Sequence, residues 1–339
     1  MKKLIKFSFL FFLVILTIFS ISCEKKKRIK DFAIGKVEEI VVAASEPVYA
    51  NVEKELLDAL YIQIDLPVKE SIFYTVYSPL EKLHIHKKNK NIVFITNINR
   101  TDEYSKIINE FLNKDDIELV KKEKVSYFRV FDGFAEGQNI LIIAGTDENL
   151  IKESIKQNKE KIQKFFLENS YRSVEMMVYF TGENKRVSSM IYEKLGIKIK
   201  VPSDFQTSFY DKNLNSYAIV GRYPDRFITI LKTKDLKNFN FDFMIKTRNM
   251  IGKEKYYGDF IDTSFIPLKR EEVDFKGFKA LYMMGVYSND KENLGGPFFT
   301  YLINTGKELV YVDGHIFYPG ERKYFKLMEL KAIVNTLEF

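Results

Sequence analysis

The chain carries one cysteine, Cys23, so no disulfide can form within it, and whatever it folds into is held by side-chain packing alone. The material for packing is present. Of 339 residues, 46% are apolar and 15% aromatic, with 30 Phe and 20 Tyr, and each buried ring removes a large surface from water. A chain of this size and composition is ordered and can bury one large or two ordinary cores. The position of the cysteine is equally informative. It closes a segment in which Met1-Lys2-Lys3-Leu4-Ile5-Lys6 supplies a basic start, Phe7 to Ile21 an apolar run and Ser20-Ile21-Ser22 a small-residue exit, which is the layout of an export signal.

The Ser20-Ile21-Ser22-Cys23 exit resembles the bacterial lipobox, with Ser20 where leucine is usual. On that reading residues 1–22 are a lipoprotein signal peptide and Cys23 is the lipid-attachment residue, left by cleavage as a first residue bearing diacylglycerol and an acyl chain such as palmitate. An uncleaved anchor helix is the first alternative, but the run is shorter than the roughly 20 residues a span needs and is followed by charge. Plain secretion is the second, and it leaves a lone exported thiol unexplained. Removing residues 1–22 takes Lys2, Lys3 and Lys6 from a net charge of +7. Much of the remaining surplus lies in Lys25-Lys26-Lys27-Arg28-Ile29-Lys30, within a basic tether expected over residues 23–35. Beside anionic headgroups each such cation is worth about 1 kcal/mol, against about 0.8 kcal/mol for each buried acyl methylene, so the lipid dominates. The partner implied is a lipid bilayer rather than nucleic acid.

The fold expected is α+β: an N-terminal α/β sandwich-like domain over residues 36–170, a connecting helix over 171–195, and a C-terminal domain over 196–339 whose mostly antiparallel sheet is covered by the last helix. In the first half, Val37 to Ala44, Ser71 to Tyr77, Asn91 to Asn97, Val125 to Phe131 and Asn139 to Ala144 read as strands, and Val48 to Tyr61 has helical spacing. Thr101 is expected to cap a helix reaching Phe111, and Thr146-Asp147-Glu148 to open one helix reaching Phe166. Tyr171 to Leu195 reads as a broken helix ended by Gly196. Strands then come in hairpin order at Ile197 to Val201, Ser216 to Gly221, Phe227 to Lys232, Phe278 to Tyr287, Phe298 to Asn304 and Leu309 to Tyr318. A helix at Phe241 to Met250 interrupts them, and Glu321 to Leu337 closes the chain with Leu327, Leu330, Val334 and Leu337 on one face.

The block Leu294-Gly295-Gly296-Pro297-Phe298-Phe299-Thr300-Tyr301, followed by Val310 to Tyr318-Pro319 and a closing helix, resembles a family of bacterial lipoproteins known as domain of unknown function 4837. The similarity takes in Cys23, Glu39 to Ala44 and the Leu195-Gly196-Ile197 to Val201-Pro202 junction, and so spans nearly the whole chain. It implies a membrane-attached, envelope-facing protein of diderm bacteria and supplies no catalytic residues. The second half is also similar, at the level of fold, to PsbP and Mog1-like proteins, which implies binding or assembly rather than catalysis.

Candidate chemistry is sparse. His84 and His86 alternate, so on an extended segment both imidazoles share a side, but no third ligand is near and Lys87 and Lys88 follow, which argues against a metal. Asp313 and His315 form a same-face pair on a strand, half of an acid–base device. Gly295, Gly296 and Pro297 read as a tight turn into a strand, where a bare backbone can also approach a ligand. These five residues make the candidate ligand-binding loop. No phosphate loop, Gly-x-Ser-x-Gly elbow, His-Glu-x-x-His or cysteine pair occurs, so no catalytic residue, cofactor or metal is assigned. The expectation is a non-enzymatic lipoprotein with a protein partner in the envelope, facing the periplasm from the outer rather than the inner membrane. The alternative is a hydrolase or small-ligand binder acting on an envelope component.

Overall fold

A computed structural model describes residues 30–66 and 69–339. The expected signal peptide, Cys23 and most of the basic run lie outside the described residues.

The first domain contains β1 (Glu39–Ala43), α1 (Glu46–Leu60), a hairpin of β2 (Gln63–Asp65) and β3 (Lys69–Ser71), β4 (Tyr74–Ser78), α2 (Leu80–His86), β5 (Asn91–Asn97), α3 (Glu103–Asn109), α4 (Lys114–Glu123), β6 (Val125–Phe131), β7 (Asn139–Gly145), α5 (Glu148–Gln157) and α6 (Lys159–Val178). Its sheet runs β4-β1-β5-β7-β6. All pairings are parallel except the last, between β6 and β7. Strand residues divide by parity, as the pleat requires. Ile40, Val42, Val93, Ile95, Leu141 and Ile143 pack beneath α1, α5 and α6. Val41, Ala43, Ile92, Phe94, Ile140 and Ile142 pack against Leu83 of α2, Ile108 of α3 and Val120 of α4. Helices on both faces explain why β5 and β7 are buried at every position.

The second domain contains α7 (Lys185–Leu195), β8 (Phe205–Asp211), β9 (Ser216–Gly221), β10 (Asp225–Thr233), α8 (Phe241–Lys255), β11 (Phe260–Asp262), β12 (Lys269–Phe275), β13 (Phe278–Asn289), β14 (Leu294–Asn304), β15 (Leu309–Phe317) and α9 (Tyr324–Val334). Its eight strands run β11-β13-β14-β15-β10-β9-β8, with β12 also on β13, and every pairing is antiparallel. One face packs against α7 and α9 through Ile191, Leu195, Leu327, Leu330 and Val334. The other packs against α8 through Met244 and Ile251. The fold is therefore α+β, with a parallel-rich sheet followed by an antiparallel one and a covering C-terminal helix. That helix is buried on more than one side because α6 lies behind it, where Val37, Val174 and Ala332 form a small core between the domains.

Several local expectations are corrected. His84 and His86 lie on α2, not on a strand, and residues two apart on a helix point away from each other. His84 is exposed and His86 half-buried, and among the described residues no cluster suited to a metal occurs. Ile197 to Val201 forms no strand beyond a single bridge from Lys198 to Glu338; its apolar side chains are drawn into the core under α7 instead. The edge is taken by β8, whose polar composition gave no strand signal. Asp102, not Thr101, caps α3 by accepting from Ser105 N. The helix expected from Thr146 to Phe166 divides at Asn158, whose φ of −104° and ψ of 19° leave the helical range. Residues 31–35, at the end of the expected basic tether, are docked on the first domain: Ala33 N donates to Glu136 O at 2.8 Å and Ile34 N to Lys88 O at 2.9 Å. Residues 171–195 do not form an element of their own: the first part continues α6, which runs without interruption to Val178, and α7 starts at Lys185 and is stopped by Gly196 at φ 67°.

Candidate functional site

Gly295, Gly296 and Pro297 do not form a loop. They pair with Ser288, Tyr287 and Val286 inside β14, and the hairpin turn falls earlier, at 290–293. The glycines are needed for packing within the sheet. A Cβ on Gly296 would lie 2.1 Å from Ile316 O, and one on Gly295 would lie 2.7 Å from Tyr287 O. The close backbone approach is therefore to neighbouring strands and leaves no space for a ligand.

Asp313 and His315 share a face of β15, and that face is sealed beneath α8. They are 0% and 1% exposed. Asp313 Oδ2 meets His315 Nδ1 at 3.0 Å, and Oδ1 accepts from Thr300 Oγ1 of β14 at 3.1 Å. Arg248, fully buried on α8, brings Nε to 2.9 Å from Asp313 Oδ1. Its N–H groups are not aligned as hydrogen bonds to any described acceptor, so the attraction is that of opposite charges in contact. The guanidinium instead lies 5.3 Å and 5.1 Å from the ring centres of Tyr287 and Phe298, a cation–π arrangement strengthened by desolvation. The His315 ring is stacked on Phe227 at 4.7 Å and met edge-on by Tyr256 at 4.5 Å.

Charge in this cluster follows from burial and pairing. Burial opposes ionisation of Asp313, but Arg248 and the contacts from His315 and Thr300 outweigh it and hold the carboxyl below its ordinary value. Burial pushes the His315 imidazole down, and its bond to Asp313 only partly offsets this. Asp259, which accepts from Asn289 Nδ2 at 2.8 Å, is pushed up by burial. An acid–base pair with no access to substrate performs no turnover. The cluster fixes α8 to the middle of the sheet.

The accessible chemistry lies on the opposite face. A cleft of about 660 Å³ opens between α9 and the strands β12, β13 and β14, with Ile64 of the first domain on its wall. Val273, Phe275, Met284, Leu327 and Met328 make its apolar lining, and Tyr282, Tyr301 and Tyr324 bring phenols to it. On its wall Lys331 of α9 donates from Nζ to Tyr282 Oη at 2.8 Å and lies 4.7 Å and 5.5 Å from the ring centres of Tyr282 and Phe299. Burial pushes the Lys331 amine down to about 8; the charge of Lys269 adds to this and that of Glu271 opposes it. Among the described side chains no carboxylate lies within ion-pair distance of Lys331. Lys269, Glu271, Asp274, Lys276 and Asn335 also line the cleft, so its wall is mixed, and a desolvated amine in such a concave site is a candidate binding or reactive group.

Lys331 was not singled out from the sequence, where it reads as one of many surface lysines. The signal was its setting, Leu330-Lys331-Ala332-Ile333-Val334. A helix apolar on more than one side leaves its polar residue a special place to face.

No curated protein matches the chain. Among solved structures, a protein from Bacteroides thetaiotaomicron VPI-5482 is similar at 13% identity and a TM-score of 0.26, over 42% of this chain and 44% of that one. The chain thus covers less than half of that protein's length. A point mutant of the protein Mog1 is similar at 9% identity and a TM-score of 0.29, over 42% of this chain and 89% of its own. LpqN of Mycobacterium tuberculosis, described as involved in cell envelope biogenesis, is similar at 12% identity and a TM-score of 0.28, over 42% and 83%. Mog1, the fold-level analogy drawn from the sequence, is thus among the similar structures; overlaps this loose carry no function. Residues 33–178 match a family model described as a domain of unknown function, DUF8532. The family resembled in the sequence therefore covers less of the chain than its motifs implied, and the first domain is similar to a different family model. Residues 184–336, which include the Gly-Gly-Pro-Phe strand and Lys331, match the family model described as a domain of unknown function, DUF4837.

Proposed function

We propose that this protein is a lipid-anchored component of the cell envelope, facing the periplasm from the outer membrane, that binds rather than transforms its partner. We infer further that the partner's acidic group is received at Lys331. What supports the binding reading is one observation: the amine of Lys331 is largely desolvated against the Tyr282 phenol and the Phe299 ring in an open cleft, while the Asp313–His315 pair is sealed in the core. Lys331, with Lys269 and Lys276 on the same wall against Glu271 and Asp274, suits an envelope component that carries a carboxylate or phosphate on an apolar or aromatic body. A partly desolvated ammonium gains most from an anion that also excludes water.

The reading is tested by placing a photo-crosslinking residue at Met328, on the cleft wall, in the cell. The mass of the adduct distinguishes a protein partner from a small acid. Capture should be lost when Lys331→Met is added, with melting behaviour retained. Capture unaffected by Lys331→Met removes the cleft from the reading. Mass spectrometry of the native product tests the anchor separately: a diacylglyceryl adduct on Cys23 is expected, and a free thiol, or Met1 still attached, overturns it.

A further inference from the structure

The first domain carries an apolar face that no other described residue covers. Phe32, Met176, Met177 and Phe180 are 53%, 46%, 45% and 68% exposed around a depression of about 280 Å³. Phe32 meets Phe180 edge-on, ring centres 5.4 Å apart at 87°, so two segments remote in sequence put their rings at one spot. The break after α6 creates this arrangement, because Phe180 N donates to Met177 O at 3.1 Å and the chain turns outward instead of continuing the helix. Lys90 lies at the rim and ties down the incoming segment through Nζ to Gly35 O at 2.6 Å. Glu136 is the one acidic side chain lining the depression.

The same face receives the chain arriving from Cys23. Nine residues carry the backbone from Cys23 to Phe32, a reach of at most about 32 Å. A lipid on Cys23 would therefore hold this face within that distance of the headgroups. The intervening stretch holds Lys25, Lys26, Lys27, Arg28 and Lys30, against Glu24 and then Asp31. Exposed Phe and Met beside a cluster of cations is the composition that partitions into the boundary of an anionic bilayer.

We propose that the Phe32–Met176–Met177–Phe180 face seats in the headgroup layer of an anionic bilayer, giving the anchored body one fixed orientation. Its continuity with Cys23 rests on the lipid-anchor reading above; the affinity of the face for lipid does not.

The test has two arms. In the first, the acylated chain carrying Phe180→Cys is placed in vesicles of phosphatidylglycerol and phosphatidylcholine and labelled with a spin probe at its new thiol, with Tyr223→Cys in a second sample as the solvent reference. A label at 180 should be relaxed by a lipid-soluble paramagnet and shielded from a water-soluble one, and the label at 223 the reverse. Equal exposure of both labels to the aqueous reagent overturns the proposal. So does a label at 180 that is already shielded before vesicles are added, since another part of the chain or a second copy would then occupy the face. In the second arm, the mature chain with Cys23→Ser is sedimented with the same vesicles, with and without Phe32→Ser and Phe180→Ser. A tenfold or greater loss of bound fraction for the double variant is expected. An unchanged fraction overturns the proposal even if Cys23 proves acylated, and a loss sustains it even if Cys23 proves free.

Discussion

Asp313→Asn isolates the charge that joins α8 to the second sheet, because it keeps the shape of the side chain and the acceptor for Thr300. Arg248 then remains fully buried; Asp259 is the other carboxylate among the described residues that acts on it, and that group is itself pushed towards its neutral form. Removing one partner of a buried pair costs about 3–5 kcal/mol, because the other charge is left without compensation. Set against a domain stability of about 5–15 kcal/mol, the lower figure alone multiplies the open population roughly a hundredfold, at about 1.4 kcal/mol per decade. Two packed domains need not unfold together, so the measurement should be local: hydrogen exchange of the β14 and β15 amides, read by mass spectrometry in the mature chain. Their protection should fall by at least two decades while β5 and β7 of the first domain keep theirs. Adding Arg248→Met removes the orphaned cation and should return part of the loss. A change below about 1 kcal/mol, or a double variant no better than the single, would refute the assignment of this pair as the clamp on α8.

Four further outcomes are expected. Because burial keeps His315 neutral in the fold while the unfolded imidazole takes a proton near 6.5, stability should fall as pH drops below that value. His315→Phe should flatten the urea-midpoint slope between pH 7 and 5. Asp313, held low, adds a loss only below the ordinary carboxylate range, and Asp259, held high, works against it. Gly296→Ala should fail to give a folded second domain or lower its melting temperature sharply, since the added carbon meets a backbone oxygen at 2.1 Å; a variant that melts within a degree of the parent contradicts the packing account. A limiting amine-reactive reagent at pH 8 should modify Lys331 ahead of exposed lysines, because its amine titrates at about 8, and peptide mapping would show otherwise if the cleft is closed. Replacing His84 and His86 by alanine together should leave melting and partner capture unchanged, and any loss would reopen a role for α2.

How much could be read from residues alone depended on how local the physics was. The parity of Ile92-Val93-Phe94-Ile95 and Ile140-Leu141-Ile142-Ile143 shows strands buried on both faces, since a pleat sends neighbours to opposite sides. Gly196 after Leu195 marks a helix end because only a left-handed residue closes that turn cheaply. The short helix at Leu80 to His86 and the strand at Phe205 to Asp211 were not legible, because each is fixed by what it packs against rather than by its own pattern.

The sequence by itself determined that the body must be held by packing, that it divides into a half of strands alternating with helices and a mostly antiparallel half, and that Asp313 and His315 share a face. Which face was buried, and which open, only the tertiary structure decided. Strand alternation assigns side chains to two sides without saying what covers either one. The answer came from α8 closing over Asp313 and from α9, held between the sheet and α6, leaving Lys331 on the wall of a cleft.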